Sequence, residues 1–155
     1  MQLWRVSGHN DLAGLGAEKA SARWHTKEPG KRIVYCAEHP AVALLEALAN
    51  LDGDPRDFPD EYGLLKIQVG ADVSIETLSS ESLPESWRES KQATRTIGDF
   101  WLQEGRSALL AVPSAVCPDS TNYVLNPKHP QAQKVVIESY RRLRYDKRLF
   151  HIHRD

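Results

Sequence analysis

A chain of 155 residues with 41% hydrophobic and 26% charged side chains is the size of one domain, long enough to bury roughly 70% of the surface its unfolded form exposes. Its 20 basic and 21 acidic residues leave a formal net charge of -1, which argues against a nucleic-acid binder held mainly by phosphate contacts and leaves room for a small anionic ligand on one or two arginines. Cys36 and Cys117 have neither CxxC spacing nor the density of a secreted disulfide scaffold and read as reduced thiols. The N-terminus MQLWRVSGHND shows no basic and apolar leader, and no apolar run reaches membrane-spanning length, so the expected location is the cytoplasm.

Residues 3–6 read as a first strand containing Arg5, stopped by the turn-forming cluster Ser7, Gly8, His9, Asn10 and Asp11. A Gly- and Ala-rich loop follows and leads to Ala22, Arg23, Trp24 and His25. Its glycines permit close approach of backbone to a ligand but carry no dinucleotide fingerprint. A guanidinium fixed beside the Trp24 ring could present its fork to a phosphate or carboxylate; the plainer reading is a surface ion pair beside a half-buried tryptophan. The stretch 31–51, KRIVYCAEHPAVALLEALANL, organises the chain. Ile33, Val34, Tyr35 and Cys36 form a buried strand, Pro40 marks a first helical position, and the helix runs to Leu51. Leu44, Leu45, Leu48 and Leu51 form its apolar stripe, with Glu46 one residue off that stripe at the edge of the buried face. Tyr35 and Glu46 are therefore expected to open on one cleft.

Beyond this unit the acidic cluster 52–57 reads as a solvated turn, since its spacing is wrong for an EF-hand. Strands are expected at 63–69 and 74–78. The polar segment 79–92 reads as a loop with one helical turn around Trp87. A helix follows over 94–103, with Ile97, Phe100 and Trp101 at helical offsets and Gly105 as its stop. Residues 108–112 form an apolar strand ended by Pro113 and followed by Ser114, whose hydroxyl is expected to be exposed at the strand end. Strands at 122–125 and 135–137 flank the turn 126–130. The basic run 141–148 reads as a solvated hairpin end before a last strand at 149–152. No repeat, low-complexity tract or linker divides the chain. Many short, mostly antiparallel strands with a few inserted helices predict an α+β fold in a single domain, 1–155.

Six histidines, at 9, 25, 39, 129, 151 and 153, fall in no zinc-binding spacing, although His151 and His153 share a face of the last predicted strand. No metal site is expected. Ser114 lacks the GxSxG elbow of a hydrolase nucleophile. What remains is one guanidinium (Arg23), one phenol (Tyr35), one helix carboxylate (Glu46) and one hydroxyl (Ser114), a set suited to an anionic ligand with a polar, sugar-like centre.

Four separate motifs in order, ARW (22–24), VYCAEHPAVALLEAL (34–48), VPSAV (112–116) and NYVLNPKHP (122–130), preceded by LWR near the N-terminus, resemble the RES-domain family over nearly the whole chain. The arginine, glutamate and serine for which that family is named fall on Arg23, Glu46 and Ser114, and its tyrosine on Tyr35. His25 departs from the family, which more often has asparagine there. The resemblance implies an ADP-ribosyltransferase-like fold and a toxin of a bacterial toxin-antitoxin pair, with a Xre-like antitoxin as partner. It implies degradation of NAD⁺, as substrate and not as cofactor, by a glycohydrolase or phosphorylase. Glu46 would stabilise the oxocarbenium formed as nicotinamide leaves. Arg23 would hold the pyrophosphate, Tyr35 would pack on the nicotinamide or ribose, and Ser114 would hydrogen-bond the sugar or amide. Protein ADP-ribosylation at the same site and a non-catalytic interaction module are the alternatives, no nucleic acid or membrane is expected as partner, and homo-oligomerisation is left open.

Overall fold

Seven strands and two helices carry the chain, seen in a computed structural model that describes residues 1–150. In chain order they are β1 (Gln2–Val6), β2 (Val34–Ala37), α1 (Pro40–Ala49), β3 (Glu61–Val69), β4 (Ile75–Thr77), α2 (Lys91–Glu104), β5 (Leu109–Pro113), β6 (Thr121–Leu125) and β7 (Val135–Arg144). The strands form one sheet in the order β4-β5-β6-β2-β1-β3-β7. Every neighbouring pair is antiparallel except β4 and β5, which run parallel. This is the α+β architecture predicted.

Alternation along the strands sorts the side chains into two layers. Antiparallel register sets Val34 opposite Leu125 and Leu109 opposite Leu125. These residues, with Leu3, Leu65, Ile67 and Val135 from the other half of the sheet, meet in one buried cluster. The opposite face carries Tyr35, Ala37, Val112, Asn122 and Val124, since Tyr35 pairs with Val124, and Asn122 with both Ala37 and Val112. Helix α1 covers one part of this face through Val42 and Ala43 against Ala37. Trp24, Trp87 and Trp101 cover the rest, against Leu110, Val112 and Val124.

Both helices start and stop as their sequences dictate. The His39 ring caps α1 by accepting from the Ala41 N–H at 3.2 Å, and Pro40 fills the first turn. Gly105 ends α2 in a left-handed conformation with φ 61°.

Several expectations need correction. The buried residues of α1 are Val42 and Ala43, and Leu45 of the predicted leucine stripe is 42% exposed. Small side chains let the helix lie close on the sheet, so the contact face is the one that continues to Glu46 a turn later. The segment around Trp87 is the loop with a turn that was expected, and it is anchored, because Trp87 is buried against Trp24 with ring centroids 6.4 Å apart. The basic residues Arg141, Arg142 and Arg144 belong to β7 itself, which pairs with β3 from Val135 to Arg144. Residues 147–150 form a 3-10 turn where a strand was expected. His151, His153 and the rest of that predicted strand lie outside the described residues.

Candidate functional site

Glu46 projects from α1 over the ends of β5 and β6. Its Oε1 accepts two hydrogen bonds, from Ser114 Oγ at 2.7 Å and from Asn122 Nδ2 at 2.6 Å. Ser114 stands just past β5, where its backbone N–H bonds the Ser120 carbonyl at 2.9 Å and its Oγ accepts from the Cys117 N–H at 3.0 Å. It is 1% exposed, which corrects the expectation of a solvent-facing hydroxyl. The turn after Pro113 tucks Ser114 beneath the helix, and the hydroxyl proton goes to Glu46. Asn122 did not emerge from the sequence reading as a site residue. The available signal was an amide side chain inside a strand, where such residues are depleted unless they do something specific.

Arg23 lies within electrostatic reach of Glu46. Its Nη1 donates to the Trp87 carbonyl at 2.7 Å and its Nη2 to the Arg88 carbonyl at 3.0 Å. The ring it stacks against is Trp87, 5.6 Å from the guanidinium carbon, and not the neighbouring Trp24 as the sequence suggested, because Trp24 turns inward to the core. Burial pulls the Arg23 guanidinium below the ordinary arginine range, and the charge of Glu46 opposes that pull, so the two ionic groups act on one another across the site.

The segment bearing Arg23 is pinned by three contacts from one helix. Arg95 Nε donates to the Ala22 carbonyl at 2.8 Å, Thr94 Oγ1 donates to the Arg23 carbonyl at 2.8 Å, and Gly98 packs against the Trp24 backbone. Helix α2 therefore fixes where Arg23 starts, and the 79–90 loop fixes where its guanidinium ends. Arg88 and Arg95 also bear on Arg23 by like-charge repulsion. Among the described residues none of the three forms an ion pair, whereas Arg32, Arg56, Arg106 and Arg148 each hold a carboxylate. A cluster of unpaired guanidiniums is a standing invitation to an anion.

Tyr35 reaches the same layer from β2. His25 Nε2 can only donate to the Ala20 carbonyl, at 2.9 Å, so in the neutral ring Nδ1 accepts from the Tyr35 hydroxyl at 2.8 Å. The Tyr35 oxygen in turn accepts from the Trp24 N–H at 3.2 Å. Burial pushes the Tyr35 pKa far above the ordinary phenol range, with the Trp24 N–H bond opposing, so the phenol keeps the proton it donates to His25. The structure thus brings Glu46 and Ser114 into contact, sets Arg23 within electrostatic reach of Glu46, and turns the Tyr35 hydroxyl toward the Arg23 segment instead of toward Glu46.

Such a sheet, with two helices and a clamped carboxylate within electrostatic reach of guanidiniums that form no ion pair among the described residues, defines an α+β protein with a polar site on one face. The chain belongs to the RES-domain family, whose profile matches residues 2–146. It is 43% identical over 138 residues to Toxin Res of Pseudomonas putida KT2440, covering 89% of this chain and 92% of that protein. It is 36% identical over 157 residues to the Prs ADP-ribosylating toxin of Sphingobium sp. YBL2, covering 94% of each. Among solved structures, a chain of the M. tuberculosis MbcT-MbcA toxin-antitoxin complex superposes with a TM-score of 0.72 at 16% identity, over 92% of this chain and 84% of that one; at that identity the likeness is one of fold.

Proposed function

We propose that the protein is the toxin of a toxin-antitoxin pair and acts in the cytoplasm by breaking the bond between nicotinamide and ribose in NAD⁺. The observation that carries this reading is the Glu46 carboxylate, held at one oxygen by Ser114 and Asn122 and within electrostatic reach of Arg23. Loss of nicotinamide develops positive charge at the anomeric carbon, and a preorganised carboxylate lowers the energy of that charge where it forms. Nicotinamide departs as a neutral ring, so the leaving group asks for no strong acid. Arg23 binds a phosphate of the dinucleotide with the N–H groups that the Trp87 and Arg88 carbonyls leave over, and the unpaired Arg88 and Arg95 favour the same anion. Ser114 acts through Glu46, and Tyr35 supplies its ring and a fixed wall for the Arg23 segment. Water or phosphate completes the reaction as acceptor. A Xre-like antitoxin is the partner that closes the site.

A second reading is ADP-ribosylation of a protein at the same site. The Sphingobium relative, named for that activity, favours it. The chemistry up to the oxocarbenium is shared, and the acceptor alone differs. Incubating the purified protein with NAD⁺ labelled in the adenylate half, with and without cell lysate, separates the two. Label in free ADP-ribose or its phosphate supports the first reading, label on protein supports the second, and intact NAD⁺ at high protein concentration overturns both in favour of a non-catalytic module.

A further inference from the structure

Two donors meet on Glu46 Oε1, and among the described residues Oε2 receives none. The orientation of the Asn122 amide is set by chemistry, since only its NH2 can face a carboxylate; turned round, carbonyl and carboxylate would oppose each other. That choice leaves Asn122 Oδ1 buried and, among the described residues, without a partner. A buried orphan acceptor is costly, and an apolar or β-branched residue would suit β6 better on packing grounds alone. The Asn122 backbone is paired on both sides, to Ala37 and to Val112, so the amide is mounted on a strand held between two neighbours. Ser114 is tied by its own bond from Cys117.

We propose that Asn122 is the positioning residue of the site: together with Ser114 it fixes the Glu46 carboxylate by one oxygen and turns Oε2 alone toward the substrate. The assignment rests on the proposed NAD⁺ chemistry for its functional consequence and on the hydrogen-bond geometry for its substance. A carboxylate held this way has one rotamer and one reactive oxygen before substrate arrives, which is the preorganisation that makes a charge effective at the transition state. It also explains why one oxygen takes both protein donors in place of a share for each.

Asn122→Ala and Asn122→Asp test it, read by kcat, KM for NAD⁺ and thermal unfolding together. Asn122→Ala should lower kcat by about tenfold or more while KM moves by less than about threefold, because the lost bond serves the transition state more than substrate binding. Asn122→Asp keeps the shape but opposes carboxylate with carboxylate at neutral pH, and should be the slower variant. As pH is lowered from 7.5 to 5.5, the introduced carboxyl takes up a proton and can donate again, so the ratio of the Asn122→Asp rate to the parent rate should rise. The other charged and titratable groups on the surrounding elements are Arg5, Tyr35, Cys36, Glu38, His39, Cys117, Asp119, Tyr123 and, within electrostatic reach, Arg23; all are common to parent and variant and cancel in the ratio. A lower melting temperature with parental kcat per folded molecule, or a ratio independent of pH, would overturn the assignment. Should the parent itself leave NAD⁺ intact, the functional reading fails, and the positioning is then judged from the Glu46 side-chain carboxyl carbon by NMR. A titration displaced to higher pH in Asn122→Asp supports it, and superimposable titrations overturn it.

Discussion

Gly98 and Trp24 meet with no space for a side chain between them: a Cβ at position 98 would lie 1.9 Å from the Trp24 carbonyl oxygen. In an exposed helix Gly→Ala stabilises by about 1 kcal/mol, so propensity alone favours the substitution. Here the clash is with backbone that cannot swing aside, and overpacking of this kind costs about 1–3 kcal/mol or more. Gly98→Ala is therefore expected to lower stability in denaturant unfolding. It should also weaken NAD⁺ binding, because the displaced backbone is that of Arg23's neighbour. An unchanged midpoint would mean that α2 can slide away from the Trp24 segment, and the rigidity ascribed to that contact would go.

Glu46→Gln changes charge and little else. Glutamine has nearly the size and helix propensity of glutamate, and its carbonyl oxygen can still accept from Ser114 and Asn122. Removing the carboxylate from a preorganised site should cost on the order of 3 kcal/mol at the transition state, more than a hundredfold in rate. Substrate affinity should change far less, since the nicotinamide ribose carries little of that charge before the bond breaks. Single-turnover cleavage measured beside the melting temperature decides the matter: a fully active, slightly destabilised variant would remove Glu46 from the chemistry.

Arg23→Lys is expected to fail on two counts. One ammonium cannot reach both the Trp87 and the Arg88 carbonyl and still offer a planar fork to a phosphate. NAD⁺ binding, measured in a Glu46→Gln background so that the ligand survives, should weaken by about tenfold or more. Amide hydrogen exchange in the 79–90 loop should quicken in the same variant. Parental affinity with an unaltered loop would show that neither carbonyl nor ligand depends on the fork.

His25 gives the fold an acid-side weakness. The ring is 3% exposed, and burial lowers its pKa below the ordinary histidine value, with the Ala20 carbonyl opposing. The unfolded chain therefore takes up a proton at this residue, near pH 6.5, before the folded one does. Stability conferred by neutral His25 is present above that pH and is lost as pH falls through it toward the lower folded value. His25→Asn, which removes the titrating ring, should lose less stability than the parent between about pH 7.5 and 5.5. Parallel losses in parent and variant would assign the acid sensitivity to other groups.

What could be read from the sequence was local. The β2-to-α1 unit, with Pro40 in the first turn, and α2 with its glycine stop, follow from patterns within a few residues. The leucine stripe of α1 misled because the helix is apolar on more than one side, and the choice of face belongs to Ala37 on the sheet beneath. The 79–92 segment read as a loop with a turn around Trp87, and what that reading left out is the pair of carbonyls that meet Arg23 from 64 and 65 positions away. Backbone acceptors have no sequence signature. Ser114 and Glu46 were found as types and not as partners, 68 positions apart, and Asn122 was missed because its role is defined by what stands above it.

Strand β7 ends the sheet, bonded to β3 on one side and, among the described residues, to no strand on the other. Its 10 residues of open backbone edge would ordinarily recruit the same edge of another molecule. Here Arg141, Arg142 and Arg144 stand exposed along its second half, and any docking that overlaps the second halves of two such edges would press guanidinium against guanidinium. The basic run is thus a barrier to self-association, effective at low ionic strength and weakened as added salt shortens the reach of the repulsion to about 3 Å at 1 M. Concentrated stocks should stay clear in dilute buffer and cloud first in strong salt, so the solubility of this protein is set at the far edge of the sheet from α2.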